Sequence, residues 1–135
     1  MPLVKIDMME GRSDEEIRTF LDTVQDTIVD AFGVPENDRY QIVTEHKPGR
    51  MILLDTGLGF DRSEKAVAIQ VFTSPRATIN KQKFYRLLSE KLQASCGLDP
   101  KDLFVSVMTN TDVDWSFGFG EIQYLTGELP KEEDS

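Results

Sequence analysis

The feature that most constrains the fold of this chain is an internal repeat of about 64 residues. Positions 4 and 67 are 63 apart and four further pairs are 64 apart, so that one inserted residue aligns the two halves. The matched pairs are Val4 with Val67, Phe20 with Phe84, Gly33 with Gly97, Asp38 with Asp102, and Tyr40 with Phe104. Each half runs from an apolar segment through an amphipathic stretch that stops at glycine, and then through a turn to a second apolar segment. This order predicts two β-α-β units.

The first unit has clear boundary signals. Residues 3–8 are apolar and rich in β-branched side chains, which predicts a strand. Ser13 and Glu16 have the spacing of a capping box, so we expect a helix to begin there and to end at Gly33. Residues 39–45 alternate in polarity and predict the second strand.

The second unit repeats these signals. Residues 66–73 are apolar at nearly every position, as expected for a central strand covered on both faces. A helix with one apolar face follows and stops at Gly97, and residues 103–108 predict another strand. We also expect a short strand at 51–54, and another at the end of the aromatic and glycine-rich segment 114–125.

Right-handed β-α-β crossovers place paired strands parallel with the helix on one face. We therefore predict an α/β (α+β) fold, a four-stranded mixed sheet with two helices on one face. The other face is left open and favours oligomerisation. We expect one domain over residues 1–129, with repeat halves 2–46 and 65–109, and a disordered acidic tail at 130–135.

The charge balance excludes several classes of partner. A net charge of −9 argues against nucleic acid and anionic membranes, which bind basic surfaces. No apolar run reaches the roughly 18 to 20 residues of a membrane span, so we expect a cytoplasmic protein. The only histidine, His46, lies in a predicted turn without metal-ligand spacing, and the glycine-rich turns lack the lysine of a phosphate loop. We expect no metal and no cofactor.

The N-terminus offers unusual chemistry. The initiator is followed by the small residue Pro2, and removal of Met1 would leave the secondary amine of Pro2 as the N-terminus. An α-amino group has a reference pKa of about 8, so a modest shift makes it an acid, a base or a nucleophile at neutral pH. The strand behind it would hold this amine on a sheet. Met-Pro also opens many proteins in which it has no such role.

Four segments carry a resemblance to a known family. They are 31–40 (AFGVPENDRY), 55–59 (DTGLG), 74–76 (SPR) and 114–118 (DWSFG). With the N-terminal proline on a strand and the duplicated β-α-β unit, the chain resembles the tautomerase superfamily over about residues 2–129. The similarity is greatest to the malonate semialdehyde decarboxylase branch. It implies a homotrimer with the helices outside and a small anionic oxo acid as substrate.

The resemblance also implies catalytic roles. Pro2 would be the acid, base or carbonyl-activating amine, and Asp38 the carboxylate that sets its charge or positions a water. Arg76 would bind the substrate carboxylate. From the residues alone, Asp38 could instead cap a turn or pair with Arg39, and Arg76 could be a solvated charge at a helix start.

The remaining implied site residues contact the substrate. Trp115 and Phe117 would form an apolar wall, although both could equally be core or subunit contacts. The branch has two arginines around the proline of its SPR-like segment, and here the first is Ser74, which removes half of the carboxylate clamp. Arg39 or Arg62 could replace it, but the sequence places neither.

Three functions are compatible with the sequence, and the first is the one that we expect. The first is a cofactor-independent lyase that decarboxylates a small 3-oxo acid such as malonate semialdehyde, with hydratase activity on the side. The second is a keto–enol tautomerase acting on phenylpyruvate-like 2-oxo acids. The third is a non-catalytic trimeric binding module. A protonated amine suits decarboxylation or hydration and a neutral one suits proton shuttling, so the charge of the amine separates the first two.

Overall fold

The computed structural model of the chain describes residues 1–130. These contain four strands, two long helices, a short helix and two 3-10 turns. In chain order the elements are β1 (Leu3–Met9), α1 (Asp14–Phe32), β2 (Tyr40–His46), β3 (Val67–Thr73), α2 (Thr78–Cys96), the turn Pro100–Asp102, β4 (Leu103–Thr109), the turn Asp112–Asp114, and α3 (Gln123–Thr126). Each long predicted element is present within one or two residues of its expected bounds.

Helix α1 begins and ends where the local signals predicted. The Ser13 side chain accepts a hydrogen bond from the Glu16 N–H at 3.1 Å, and the Glu16 carboxylate accepts one from the Ser13 N–H at 2.9 Å. Two N–H groups that the helix leaves unpaired are thereby satisfied. Gly33 ends the helix at φ 68°, where a side chain would be strained. Gly97 ends α2 in the same way, although α2 has no side-chain cap at its start.

The sheet has the order β2-β1-β3-β4. Each β-α-β unit contributes a parallel pair, β1 with β2 and β3 with β4, and the two units meet through the antiparallel pair β1 and β3. The predicted four-stranded mixed sheet is confirmed. Because β1 is central, the chain's N-terminus is held between the neighbouring strands rather than at an edge.

One face of the sheet carries both helices. Alternate residues of the central strands point toward them and are almost fully buried, in cross-strand pairs. These pairs are Val4 with Val71, Ile6 with Ile69, and Met8 with Val67. Phe20 and Ile28 of α1 and Phe84, Leu88 and Leu92 of α2 complete the same core. Burial of this apolar surface is the main stabilising contribution to the fold.

The opposite face of the sheet is open in the single chain. Its alternate positions include Tyr40, Ile42 and Phe104, which are 42%, 50% and 40% exposed. Strand β3 is central as predicted, but only every second side chain is buried and the others are half-buried. Covering its second face would therefore take a partner.

Two short elements differ from the prediction. Residues 51–54 form no strand, and Ile52 and Leu54 point into solvent. The aromatic segment ends in α3, not in a strand, and His46 is the last residue of β2 instead of part of a turn. Short apolar runs do not distinguish these outcomes because pairing depends on partners elsewhere in the chain.

Except for Pro130, the expected acidic tail lies outside the described residues. Across residues 1–130 there is no helix with the length and apolar character needed to cross a membrane.

Candidate active site

A cavity of about 500 Å³ opens at the N-terminal end of β1. Its walls come from three parts of the chain: the N-terminus, the turn before β2, and the segment from Phe117 to Pro130. The lining residues are Met1, Pro35, Asn37, Asp38, Tyr40, Phe117, Phe119, Gln123, Tyr124, Glu128, Leu129 and Pro130. Most of this wall is apolar, with a few polar groups, as is usual for small-molecule sites.

Asp38 is the buried carboxylate of this cavity. The turn that carries it is closed by the Asp38 N–H, which donates to the Pro35 carbonyl at 3.0 Å. From α1, the Gln25 side-chain amide donates to the Asp38 carbonyl at 3.2 Å, so the helix also fixes the turn. Asp38 is 8% exposed, and its Oδ1 has no hydrogen-bond partner within residues 1–130. Burial raises the pKa of Asp38, against the opposing effect of the N-terminal amine and Arg76.

The N-terminal amine lies beside Asp38. In the full-length chain it belongs to Met1, which lines the cavity, and Pro2 is buried directly behind it. Burial lowers the pKa of this amino group from 8.0 to about 5. The negative charge of Asp38 opposes the shift, whereas the positive charge of Arg76 adds to it. At neutral pH the amine is therefore a free base.

Arg76 is held close to the same groups, just after β3. Its guanidinium is 7% exposed and donates to the Thr73 hydroxyl from Nε at 3.3 Å and from Nη2 at 3.0 Å. The guanidinium carbon lies 5.1 Å from the centre of the Phe32 ring, within cation–π range. Ser74, two residues earlier, is also buried. Arg76 is not among the residues that line the cavity, but its charge affects the pKa of the amine, Asp38 and Tyr124, so it lies near all three.

Aromatic rings form one wall. Phe117 is central, with its ring centroid 5.8 Å from that of Tyr40 and 5.7 Å from that of Tyr124. Trp115 stacks behind Phe117 at 5.6 Å, nearly parallel to it. The Trp115 indole N–H donates to the Asn110 side chain at 3.0 Å, which fixes the indole plane. Phe117 thus faces the cavity and Trp115 supports it.

Several residues of the site carried no signal in the sequence. Tyr124 lines the cavity, and burial raises the pKa of its hydroxyl to about 12. The Gln123 side chain accepts from the Phe117 N–H at 3.0 Å and donates to the Gly118 carbonyl at 2.8 Å, and so locks this segment. Thr73 lies three residues before Arg76 in the sequence, and this spacing can be recognised as a sign of their contact only once the structure is known. Gln25 lies on α1, where nothing distinguishes it from other polar helix residues.

The sequence left open an ion pair of Asp38 with Arg39, and Arg39 or Arg62 as the replacement for the missing arginine. The structure places both arginines elsewhere. Arg39 donates to the Asp22 carboxylate and to the Gln41 side chain, each at 2.8 Å, and Asp38 is not its ion-pair partner. Arg62 donates to two backbone carbonyls, those of Leu54 at 2.7 Å and Lys101 at 2.8 Å. Both arginines are thus used elsewhere, and neither is among the residues that line the cavity.

Known proteins resemble this chain over nearly its whole length. Two family models described as tautomerase enzyme match residues 38–118 and 2–61. The chain is 49% identical to "Probable tautomerase YrdN" of Bacillus subtilis (strain 168), over 96% of this chain and 100% of that one. A crystal structure of malonate semialdehyde decarboxylase is 48% identical with a TM-score of 0.91, covering 94% of this chain and 98% of that one. The FG41 malonate semialdehyde decarboxylase inhibited by 3-bromopropiolate is 42% identical with a TM-score of 0.91, covering 96% and 99%.

Proposed function

The chain belongs to the tautomerase superfamily, in its malonate semialdehyde decarboxylase-like branch, and from that premise we propose that it interconverts the keto and enol forms of an oxo acid. The observation that carries the proposal is the proximity of three groups beside one cavity. A buried amine and a buried carboxylate line an aromatic-walled cavity, and the charge of the buried Arg76 acts on both. These are the groups that a proton transfer next to a carbonyl requires.

The proton carrier in this proposal is the amine of Pro2. Once Met1 is removed, the Pro2 nitrogen becomes the N-terminus of β1, next to Asp38 and Arg76. Burial lowers the pKa of the Met1 amine to about 5, and we expect the buried position of Pro2 to lower the pKa of its amine in the same direction. A neutral amine can remove a proton from the carbon beside the substrate carbonyl. The C–H electron pair then forms the C=C bond of the enol as the protonated amine gives the same proton to the carbonyl oxygen. In the reverse direction the amine takes the proton of the enol hydroxyl and delivers it to the carbon.

The other two groups have supporting roles. Arg76 binds the substrate carboxylate, because a guanidinium with Thr73 fixing its orientation presents a rigid fork to a planar anion. Asp38 raises the pKa of the amine against the effect of burial, and so keeps the amine basic enough to accept a proton. The rings of Tyr40, Phe117 and Tyr124 exclude water, which strengthens each of these interactions.

Decarboxylation of a small 3-oxo acid is the second candidate. It is supported by the 48% identity and TM-score of 0.91 to malonate semialdehyde decarboxylase. In that reaction the bond to the carboxylate breaks, CO2 leaves, and the electron pair forms an enolate that takes a proton from the amine. The amine must then be protonated, whereas burial at this position favours the neutral form of the Met1 amine. In addition, Ser74 stands where the branch has an arginine, so Arg76 has no second arginine with which to bind a carboxylate. Both observations favour tautomerisation.

The role of the amine can be tested without changing any side chain, by comparing the protein with its amine in the cavity and with its amine moved away. Mass spectrometry first checks that Met1 is removed. A short Gly-Ser extension before Pro2 then leaves every side chain in place but moves the free amine away, and the same extension after Ser135 is the matched control. Enol-phenylpyruvate ketonisation is followed by ultraviolet absorbance, and malonate semialdehyde by CO2 release.

We expect the N-terminal extension to lower kcat/KM for the enol at least 100-fold and the C-terminal one to leave it within twofold. A faster turnover of malonate semialdehyde than of the enol would favour the decarboxylase. Equal rates with both extensions would remove the amine from the mechanism. No turnover of either substrate would favour a non-catalytic binding module.

We further propose that the open sheet face joins three copies of the chain. The resemblance implies a trimer, and the exposed Ile42 and Phe104 supply apolar surface on that face. Light scattering after size-exclusion chromatography measures the mass directly. A monomer at micromolar concentration would contradict the proposal, and Ile42→Asp should shift a trimer toward smaller species.

A further inference from the structure

Phe119 has an unusual position at the rim of the cavity. Its ring lines the cavity, yet the residue is 99% exposed, more than any other large apolar residue of the described chain. A phenyl ring held fully in water loses the stabilisation that its burial would give. An exposed aromatic ring beside a cavity supplies apolar surface that a ligand in the cavity can cover.

The backbone around Phe119 is a turn that directs its side chain outward. Phe119 has φ 61°, a left-handed conformation that is uncommon for a bulky residue, and it lies between Gly118 at φ 136° and Gly120 at φ 68°. Gln123 fixes the Phe117 N–H and the Gly118 carbonyl, and the Glu121 N–H donates to the same carbonyl at 3.4 Å. The exposed ring of Phe119 can therefore move by rotation of its side chain without disturbing the ring of Phe117.

A gradient of burial across the site sets the direction of a bound ligand. The charged groups Asp38 and Arg76 are 8% and 7% exposed, whereas Phe119 at the rim is 99% exposed. Between them lies the wall around Phe117. A ligand that places its carboxylate toward Arg76 must point its other end along this wall toward Phe119.

We propose that Phe119 is a specificity residue whose ring closes over an aryl or branched alkyl substituent of the oxo-acid substrate. The inference rests on the proposed function for the position of the carboxylate. The cavity volume of about 500 Å³ supports it, because cavities of that size hold ligands much larger than a three-carbon acid. A small acid would leave the aromatic wall wet, whereas an apolar substituent would fill it.

A second copy of the chain is the competing partner for this ring. The connector between β2 and β3 also exposes large apolar residues, Ile52, Leu54 and Leu58, but none of them lines the cavity. Phe119 differs from them because it lines the same cavity as Phe117 and Tyr124. This shared position favours a ligand that enters the cavity over a contact between chains.

Binding can be measured without turnover. Trp115 is the only tryptophan and stacks on Phe117, so its fluorescence reports on cavity occupancy. The probes are 3-phenylpropionate and propionate, which share a carboxylate and lack the oxo group. We expect Phe119→Ala to weaken 3-phenylpropionate about tenfold and to change propionate less than twofold. Leu58→Ala removes an exposed apolar side chain away from the cavity and should change neither.

The outcomes separate this inference from the proposed function. Equal affinity of wild type and Phe119→Ala for 3-phenylpropionate would overturn it, as would failure of the wild type to prefer 3-phenylpropionate over propionate. A changed molecular mass of Phe119→Ala would assign the ring to a subunit contact and overturn it too. If affinity falls as expected but no oxo acid is turned over, the proposed function fails while the aryl-binding role of Phe119 stands. With turnover, kcat/KM for enol-phenylpyruvate should fall about tenfold and that for a three-carbon oxo acid less than twofold.

Discussion

Replacing Arg76 by glutamine tests the electrostatics of the site most directly. Truncating one partner of a buried charge pair costs about 2–5 kcal/mol. Because the cavity is open to solvent on one side, we take the lower part of that range, about 2–3.4 kcal/mol for the lost contact with the substrate carboxylate. At about 1.36 kcal/mol for each factor of ten, kcat/KM should fall about 30-fold to 300-fold.

The pH profile carries the sharper part of the prediction. The charge of Arg76 lowers the pKa of the N-terminal amine, so its removal should raise that pKa. The neutral amine is the active base, and activity is lost as the pH falls through the pKa of the amine. The acid limb of kcat/KM should therefore move to higher pH in Arg76→Gln. In Arg76→Lys the charge remains, so the limb should stay near its wild-type position while the loss of the guanidinium fork still lowers kcat/KM.

The assay is enol-phenylpyruvate ketonisation between pH 4 and 9, with circular dichroism to check folding because Arg76 also bonds to Thr73. The matched control is Arg39→Gln, which removes an arginine that pairs with Asp22. We expect Arg39→Gln to have the same kcat/KM as wild type and an acid limb at the same pH. A limb in Arg76→Gln that stays in place or moves to lower pH, or a kcat/KM within threefold of wild type, would refute the reasoning.

Four further predictions concern particular residues. Asp38 raises the pKa of the amine, so Asp38→Asn should move the acid limb to lower pH, the opposite of Arg76→Gln. The pKa of Asp38 is itself raised, so ionisation of this carboxyl group opposes folding above the unfolded pKa of 3.8. Asp38→Asn should therefore be at least as stable as wild type to denaturant at pH 7. This gain in stability should be lost near pH 3, where Asp38 is protonated in the wild type as well. Ser74→Arg adds the missing cation and should raise the ratio of CO2 release from malonate semialdehyde to enol ketonisation; an unchanged ratio would contradict the role given to Ser74. Phe84 is fully buried, so Phe84→Ala should lower the free energy of unfolding by about 3–5 kcal/mol, whereas Leu125→Ala, at an exposed site, should change it by less than about 0.5 kcal/mol.

Local signals in the sequence determined most of the fold. The capping box at Ser13, the glycine stops at Gly33 and Gly97, and the periodicity of the apolar residues each act within a few positions of the chain. The repeat then predicted two equal units, and the mixed sheet follows from joining them. Only the short pieces were mispredicted, at 51–54 and at Gln123–Thr126, where pairing partners outweigh local preference.

The candidate site was only partly predictable. Pro2, Asp38, Arg76 and Phe117 could be named because their segments resemble a family. The proximity of Pro2, Asp38 and Arg76 depends on the pairing of β1 with β2 and β3, which places the chain's N-terminus beside the turn before β2 and the end of β3.

What the sequence alone determined was the presence of the reactive groups and the sheet that carries them. The tertiary structure decided their chemistry, because a pKa is set by burial and by neighbouring charges that lie far away along the chain. The Met1 amine, just before β1, has its pKa lowered to about 5 by burial, with smaller effects from Asp38 and Arg76. Gln25 and Gln123 were hidden because their hydrogen bonds, to the turn of Asp38 and to the backbone N–H of Phe117, form only in the folded chain.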